Sequence, residues 1–392
     1  MAEIVGTVLP GFEPVRDAFL TNMRSGAEIG AAVCVYHHGR KVVDLWGGTA
    51  DPTVGRDWEQ DTLQLVYSCT KSIPAACAHL LVQRGQLRLD APVADYWPEF
   101  AAAGKERIPV RWLLSHQAGL PVLDQPMSTA DVLAWEPVVA ALAAQSPVWV
   151  PGSQHGYHSL TYGWLVGEVV RRVSGRSLGS FFAQEIAEPL GLDLWIGLPL
   201  AERPRVSRIV EPPAISADDI DLAALPEEIR EALAPYLDPT SLVMRSVTVT
   251  TTPLDMNDPA VWAAEIPAVN GICTARALAR FYAGLIGEVD GVRILDADTL
   301  AAATAEQANG IDRVLRTPTR PALGFGLPLP DMAWWSPAAF GFPGHGGSLG
   351  YADPATGIAF GYLMNRIEPA PADRRAASLV EALHVSLAST TR

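Results

Sequence analysis

Leu349-Gly350-Tyr351-Ala352-Asp353-Pro354-Ala355-Thr356-Gly357-Ile358-Ala359-Phe360-Gly361-Tyr362-Leu363-Met364-Asn365 decides the fold class. Two apolar runs, Leu349–Ala352 and Ile358–Asn365, flank a turn-forming set at 353–357, which predicts two antiparallel strands. The other end of the chain repeats the pattern: Ile29–Tyr36 and Lys41–Trp46 surround His37-His38-Gly39-Arg40, a second hairpin expected to end at Gly47-Gly48. Helical spacing precedes it, with Phe12, Val15, Phe19 and Leu20 on one face of 12–23, and an amphipathic helix over 372–389 closes the chain. The chain thus opens helix, strand, strand. Strands at both ends around a helical middle predict an α/β (α+β) fold. An antiparallel sheet built from both termini is flanked by helices, a mainly helical domain is inserted, and a cleft opens where they meet.

The middle reads as helix over 68–83, 110–115, 131–144, 162–173 and 178–189. Residues 199–265 are rich in Pro, carry the acids Asp218, Asp219 and Asp221, and read as a long excursion with one helix at 226–236. The expected division is 1–85 with 266–392 as the α/β domain and 86–265 as the mainly helical one.

Composition narrows the function classes. The 392 residues carry 29 Lys+Arg against 43 Asp+Glu, a net charge of −14, with 49% hydrophobic and 18% charged residues. That apolar, charge-poor chain has the makings of a large core. Its acidity and lack of a basic block argue against nucleic acid or an anionic membrane as partner. The N-terminus lacks a basic n-region followed by a long apolar stretch, and no apolar run reaches the ~20 residues of a membrane span. Cys34, Cys69, Cys77 and Cys273 show no CxxC spacing and read as reduced core residues of a cytoplasmic protein. The oligomeric state is open, a homo-oligomer included.

Three segments could carry chemistry. In Tyr67-Ser68-Cys69-Thr70-Lys71-Ser72 the Ser-x-x-Lys spacing puts a hydroxyl and an amine on one helical face, where a Lys of depressed pKa can take the Ser proton. In Pro151–Ser159 the loop leads to Tyr157 at a helix start, a phenol that beside a Lys ammonium loses its proton more readily. In Phe342-Pro343-Gly344-His345-Gly346-Gly347-Ser348-Leu349-Gly350 the glycines let backbone approach a ligand, and an edge strand can offer an N–H to an oxyanion.

Together these segments resemble the serine β-lactamase/penicillin-binding-protein superfamily, specifically its class C-like branch of esterases (carboxylesterase family VIII). That pattern runs Ser-x-x-Lys, then Tyr-x-Asn or Tyr-x-Ser, then Lys-Thr-Gly or a His/Trp-Gly-Gly variant. Here it reads Ser68/Lys71, Tyr157/Ser159 and His345/Gly346/Gly347. Leu113–Leu120 and Asn270–Phe281 are also family-like, and the resemblance spans roughly residues 10–390. It implies a cofactor-free, metal-free serine hydrolase of small carboxylic esters, with short to medium acyl chains. Ser68 would be the nucleophile, Lys71 and Tyr157 the proton-transfer pair, and the N–H groups of Ser68 and Ser348 the oxyanion hole. Ser159, His345, Gly346 and Gly347 would contact substrate. His345 where a Lys is usual, and Ser159 where an Asn is usual, favour a neutral ester over a β-lactam. β-Lactamase or D,D-peptidase-like amide hydrolysis, acyl transfer and a non-catalytic ligand-binding role are the alternatives.

Two further readings compete. Gly346-Gly347-Ser348-Leu349-Gly350 matches the Gly-x-Ser-x-Gly nucleophile elbow, which needs a strand before the Ser and a helix after it. The pairs His37/His38 and His155/His158 could suggest a metal, but no HExxH or dense His/Asp cluster accompanies them. The tryptophans Trp334-Trp335 and the 199–265 excursion are the candidate walls of an acyl pocket.

Overall fold

A computed structural model describes residues 4–212, 226–329, 336–368 and 373–390. Its main sheet is antiparallel throughout. The strands are β1 (Ile4–Val8), β2 (Gly30–His37), β3 (Arg40–Asp51), β4 (Arg56–Asp57), β5 (Phe340–Pro343), β6 (Leu349–Asp353) and β7 (Ile358–Met364). They run in the order β1-β3-β2-β7-β6-β5, with the short β4 added to β3. The two terminal hairpins therefore meet at the centre, where β2 pairs with β7 from His37↔Ile358 to Ala31↔Met364.

Period-two burial explains the layers. On β2, Ala31, Val33 and Val35 face α1 (Glu13–Arg24) and the closing helix, described over Arg375–Thr390. Ala32, Cys34 and Tyr36 face the opposite way, into a core shared with Leu278, Phe281 and Tyr282 of the helix Ala275–Ile286. That helix packs so tightly that a Cβ at Gly361 would stand 2.6 Å from the Ala275 carbonyl oxygen. The same core runs on into the helical region, through α2 (Ser72–Gln83) and Thr161–Ser174. Among the described residues no helix is long and apolar enough to cross a membrane.

Several expectations need correction. The strand β1 precedes the first helix, so the chain opens strand, helix, strand, strand. β3 does not stop at Gly47-Gly48 but continues to Asp51. The helix expected over 131–144 is two, Thr129–Leu133 and Glu136–Ala144, split where Trp135 adopts φ +69° and its indole N–H donates to Glu168 at 2.9 Å. The segment 178–189 holds a wide π-type turn at Ala183–Ala187 and runs on to Leu190. Pro189 cannot donate, and its ring crowds the carbonyl four residues back, which a widened turn accommodates. β6 is not an edge strand, because β5 lies outside it. The expected helix 226–236 is Glu227–Leu237. The acids Asp218, Asp219 and Asp221, and Trp334-Trp335, lie outside the described residues.

A buried ionic cluster ties the terminal elements together. Glu28 accepts from the Tyr362 hydroxyl and, at 3.2 Å, from Arg375 Nη1. Arg375 also pairs with Asp373. Burial pushes the Glu28 carboxyl up to about 7. The native chain then holds a proton that the unfolded chain releases, so this contribution to stability is full below the ordinary carboxylate pKa and is lost as pH rises through about 7. Tyr362 and Arg375 are held above their ordinary values and do not titrate in this range. Glu28→Gln cannot ionise. Urea unfolding at pH 5 and pH 8 is expected to show the variant gaining on the parent by on the order of 2 kcal/mol with rising pH.

Candidate active site

The Ser68 turn is built before the helix, not in it. A short strand Gln64–Leu65 pairs with Ile272–Cys273 and delivers the chain to a 3₁₀ turn, Tyr67–Lys71, from which α2 continues. The 68–83 helix expected from sequence is therefore 3₁₀ in its first turn. In that geometry side chains at i and i+3 eclipse, which stacks Ser68 and Lys71 more closely than an α-helix does. Tyr67 sits at φ +45°, a conformation costly for a non-glycine residue. Neighbours hold it there. Val66 N–H donates to the Gly271 carbonyl at 2.9 Å, Gly271 N–H to Thr70 Oγ1 at 2.9 Å, and Cys69 Sγ to the Phe342 carbonyl at 3.1 Å.

Lys71 is fully buried. Its Nζ lies 3.1 Å from Ser68 Oγ, 2.7 Å from the Ser159 carbonyl and 3.0 Å from the Ala268 carbonyl. The Ala268 carbonyl is presented by a loop stapled by buried Asn270, which accepts from Ile266 N–H and donates to the Val261 and Ala264 carbonyls. No carboxylate hydrogen-bonds this amine among the described residues, and burial holds its pKa well below the ordinary lysine value. Deprotonated, the amine would give its two N–H groups to the two carbonyls and keep its lone pair for the third direction, toward Ser68.

Tyr157 comes from the helical side. Its hydroxyl is 2.8 Å from Ser68 Oγ, and Lys71 Nζ lies 4.7 Å from its ring centre. Burial raises the phenol above its ordinary value. This corrects the expectation of a phenol made easier to ionise by a Lys ammonium: burial acts the other way here, and the hydroxyl donates to Ser68 Oγ. His158 bridges Leu120 N–H and the Gly156 carbonyl, and burial brings it down to about 4. Buried His116 is also held well below its ordinary value, and its Nδ1 accepts from His158 N–H at 3.2 Å. Both imidazoles are therefore neutral struts.

Asp312 was not legible in the sequence. Its Oδ1 accepts three backbone N–H groups, from Tyr157 at 3.0 Å and from Val314 and Leu315 at 2.8 Å each. It fixes the loop that aims the phenol. Asp312→Ala is expected to lower kcat by about 10- to 100-fold, since an ångström of misplacement suffices for that. It should also destabilise by about 1–3 kcal/mol, because buried N–H groups lose their acceptor. Steady-state kinetics beside thermal melts check both.

The third segment closes the site. A Cβ at Gly344 would stand 2.4 Å from the Val66 carbonyl oxygen, so a side chain there would separate this turn from the Ser68 turn. Ser68, Tyr157, Ser159, His345, Gly346, Gly347 and Ser348 all line one cavity of about 990 Å³. Its walls are mainly apolar, with Leu160, Val243, Val247, Leu315, Leu327 and Phe342 among them. The His345 ring meets the Tyr67 ring edge-on at 5.2 Å. Ser159 gives its carbonyl to Lys71, while its hydroxyl pairs with Ser246 Oγ at 2.8 Å, and Ser246 Oγ in turn donates to the Val243 carbonyl. The competing nucleophile fails on geometry: Ser348 precedes the strand β6 rather than a helix, and its Oγ is buried with no partner among the described residues. The His37 and His38 rings lie tilted against each other at 4.3 Å on their turn, and His155 bonds Thr319. No group of three or more His, Cys, Asp or Glu residues among those described could hold a metal ion.

A sheet joining both termini, a helical region beside it, and a Ser–Lys–Tyr cluster between them define a class of proteins, and comparison agrees. The chain belongs to the β-lactamase family, whose model matches residues 15–384. Over 370 residues it is 35% identical to the esterase/β-lactamase LipL of Mycobacterium tuberculosis (strain ATCC 25618 / H37Rv), which covers 93% of this chain and 83% of that one. Among solved structures it is similar to a family VIII carboxylesterase, with TM-score 0.87 and 37% identity over 98% of this chain and 100% of that one. It is also similar to a penicillin-binding protein homologue from Caulobacter crescentus, with TM-score 0.86 and 37% identity over 98% and 100% of the two chains.

Proposed function

We propose that the protein is a serine hydrolase that cleaves carboxylic esters with short to medium acyl groups through an acyl-enzyme on Ser68. The observation that carries this reading is a fully buried amine that no carboxylate hydrogen-bonds among the described residues and that lies 3.1 Å from a hydroxyl. Lys71 takes the Ser68 proton as Oγ attacks the ester carbonyl carbon. The N–H groups of Ser68 and Ser348 receive the developing oxyanion. The carbon–oxygen bond to the alcohol then breaks, and the Lys71/Tyr157 pair returns one proton to the leaving oxygen. Water attacks the acyl-enzyme with the same pair as base, which releases the acid and restores Ser68.

The mainly apolar cavity supports a neutral substrate. His345, Gly346 and Gly347 border it near the nucleophile. Ser159, whose hydroxyl proton goes to Ser246, has lone pairs left to accept from a polar substrate group. In this reading Ser68, Lys71 and Ser348 belong to the unit 1–85 with 266–392, and Tyr157 and Ser159 to the unit 86–265, so the reaction takes place at their junction. Four buried, unpaired thiols support a cytoplasmic setting.

A second reading, β-lactam or other amide hydrolysis with acyl transfer as a side reaction, has one observation in its favour: LipL carries both activities in its name. Parallel assays of p-nitrophenyl butyrate and nitrocefin separate the two. A p-nitrophenol burst that disappears in Ser68→Ala supports the esterase. Turnover of nitrocefin alone supports the amide hydrolase, and no burst on either supports a non-catalytic binding protein.

A further inference from the structure

The turn that carries Ser348 is held from behind by a residue that no motif contains. Gly346 and Gly347 follow one another at φ +84° and +126°, so the turn has little stiffness of its own. Within the turn, Gly344 N–H donates to the Ser348 carbonyl at 2.7 Å and Gly347 N–H to the Gly344 carbonyl at 3.2 Å. From outside, Arg375 Nη2 donates to the Gly346 carbonyl at 2.7 Å. Arg375 is 3% exposed, and every N–H of its guanidinium is engaged. Nη2 and Nε also meet Asp373 at 2.8 and 2.9 Å, and Nη1 meets Glu28 and the Ala27 and Arg366 carbonyls. A rigid fork bound on every side cannot follow a moving loop. The turn also rests directly on this cluster: a Cβ at Gly347 would stand 2.4 Å from Asp373 Oδ2 and 2.7 Å from Arg375 Nη2.

We propose that Arg375 is a positioning residue for the oxyanion hole, fixing the Gly346–Ser348 turn so that the Ser348 N–H stands where charge develops on the ester carbonyl. It touches neither substrate nor Ser68. The inference rests on the acyl-enzyme reading above and adds to it the element that orders one of the two donors. Arg375→Lys keeps the cation beside Glu28 and Asp373 but cannot bridge Asp373 and the Gly346 carbonyl as a planar fork does. Gly347→Ala disturbs the same contact from the other side.

The test measures kcat and KM for p-nitrophenyl butyrate per active site titrated by the burst, together with inhibition by an alkyl boronic acid, whose tetrahedral adduct needs the oxyanion donors. Both variants are expected to lose about 10- to 100-fold in kcat and to lose boronic acid affinity in parallel, with KM unchanged in Arg375→Lys, whose side chain does not line the cavity. A purely structural role would lower the melting temperature and the titrated fraction while leaving kcat per site intact. Either variant with kcat per site within twofold of the parent overturns the proposal. An absent burst in the parent protein instead defeats the acyl-enzyme reading itself, so the two failures are distinguishable.

Discussion

Ser68→Ala is expected to lower hydrolysis of p-nitrophenyl butyrate by roughly 10⁴- to 10⁶-fold, the range in which loss of a serine nucleophile falls. The reason is that nothing else among the described residues at the floor of the cavity can replace it. Of the described residues, Ser68 alone places an Oγ 3.1 Å from Lys71 Nζ and 2.8 Å from the Tyr157 hydroxyl. The other serines at hand are spoken for or misplaced. The Ser159 hydroxyl is bonded to Ser246, and Ser348 Oγ has no base beside it among the described residues. The variant should keep its fold, because Ser68 contributes little apolar burial and Ala suits the 3₁₀ turn. The decisive comparison is intact-mass analysis after a fluorophosphonate probe. The parent and Ser348→Ala should each gain one adduct, mapped to the peptide holding position 68, and Ser68→Ala none. An adduct that vanishes only in Ser348→Ala would instead make the Gly-x-Ser-x-Gly segment the nucleophile site.

How far this site was legible depends on the range of the interactions that build it. Ser68 and Lys71 are three residues apart, and local helical geometry alone brings them together, so spacing sufficed. The two terminal hairpins were legible for the same reason, as period-two patterns around turn residues, although β1 was missed because its five residues are mostly exposed and carry no buried alternation. Tyr157 could be named only through its neighbours in a pattern, since a lone tyrosine says nothing about what stands 89 positions away. The sequence also offered no sign that burial would raise this phenol rather than a Lys ammonium lower it, because that burial is revealed only by tertiary structure. Asp312 and Arg375 had no signal at all. Each acts on a distant backbone N–H or C=O, groups that every residue possesses, so the sequence of the partner segment does not mark the contact. The breaks at Trp135 and Ala183–Ala187 were missed because they answer to a buried Glu168 and to a proline late in the helix, against a pattern that is otherwise helical.

Lys71→Met and Tyr157→Phe are expected to differ in how their losses depend on the leaving group. In the proposed mechanism Lys71 acts on the nucleophile, so its loss should slow every ester, by about 10⁴-fold or more, whatever alcohol departs. Burial raises the Tyr157 phenol, and its hydroxyl donates to Ser68 Oγ, the proposed attacking atom, at 2.8 Å. Its service is therefore to the departing oxygen, which in the tetrahedral intermediate stands on the same carbon as Ser68 Oγ. An alkoxide leaves poorly without a proton, whereas p-nitrophenolate is stable enough to leave without one. Tyr157→Phe should thus cost about 10²- to 10⁴-fold with ethyl butyrate and markedly less with p-nitrophenyl butyrate, while Lys71→Met shows no such gap. The pH profile supplies an independent check. Because the Lys71 pKa lies well below the ordinary lysine value, the rate should rise as that ammonium loses its proton and level off well before pH 10.5. That rise should persist in Tyr157→Phe and disappear in Lys71→Met. A Tyr157→Phe variant that loses equally on both esters and also loses the rise would transfer the role of base from the amine to the phenol.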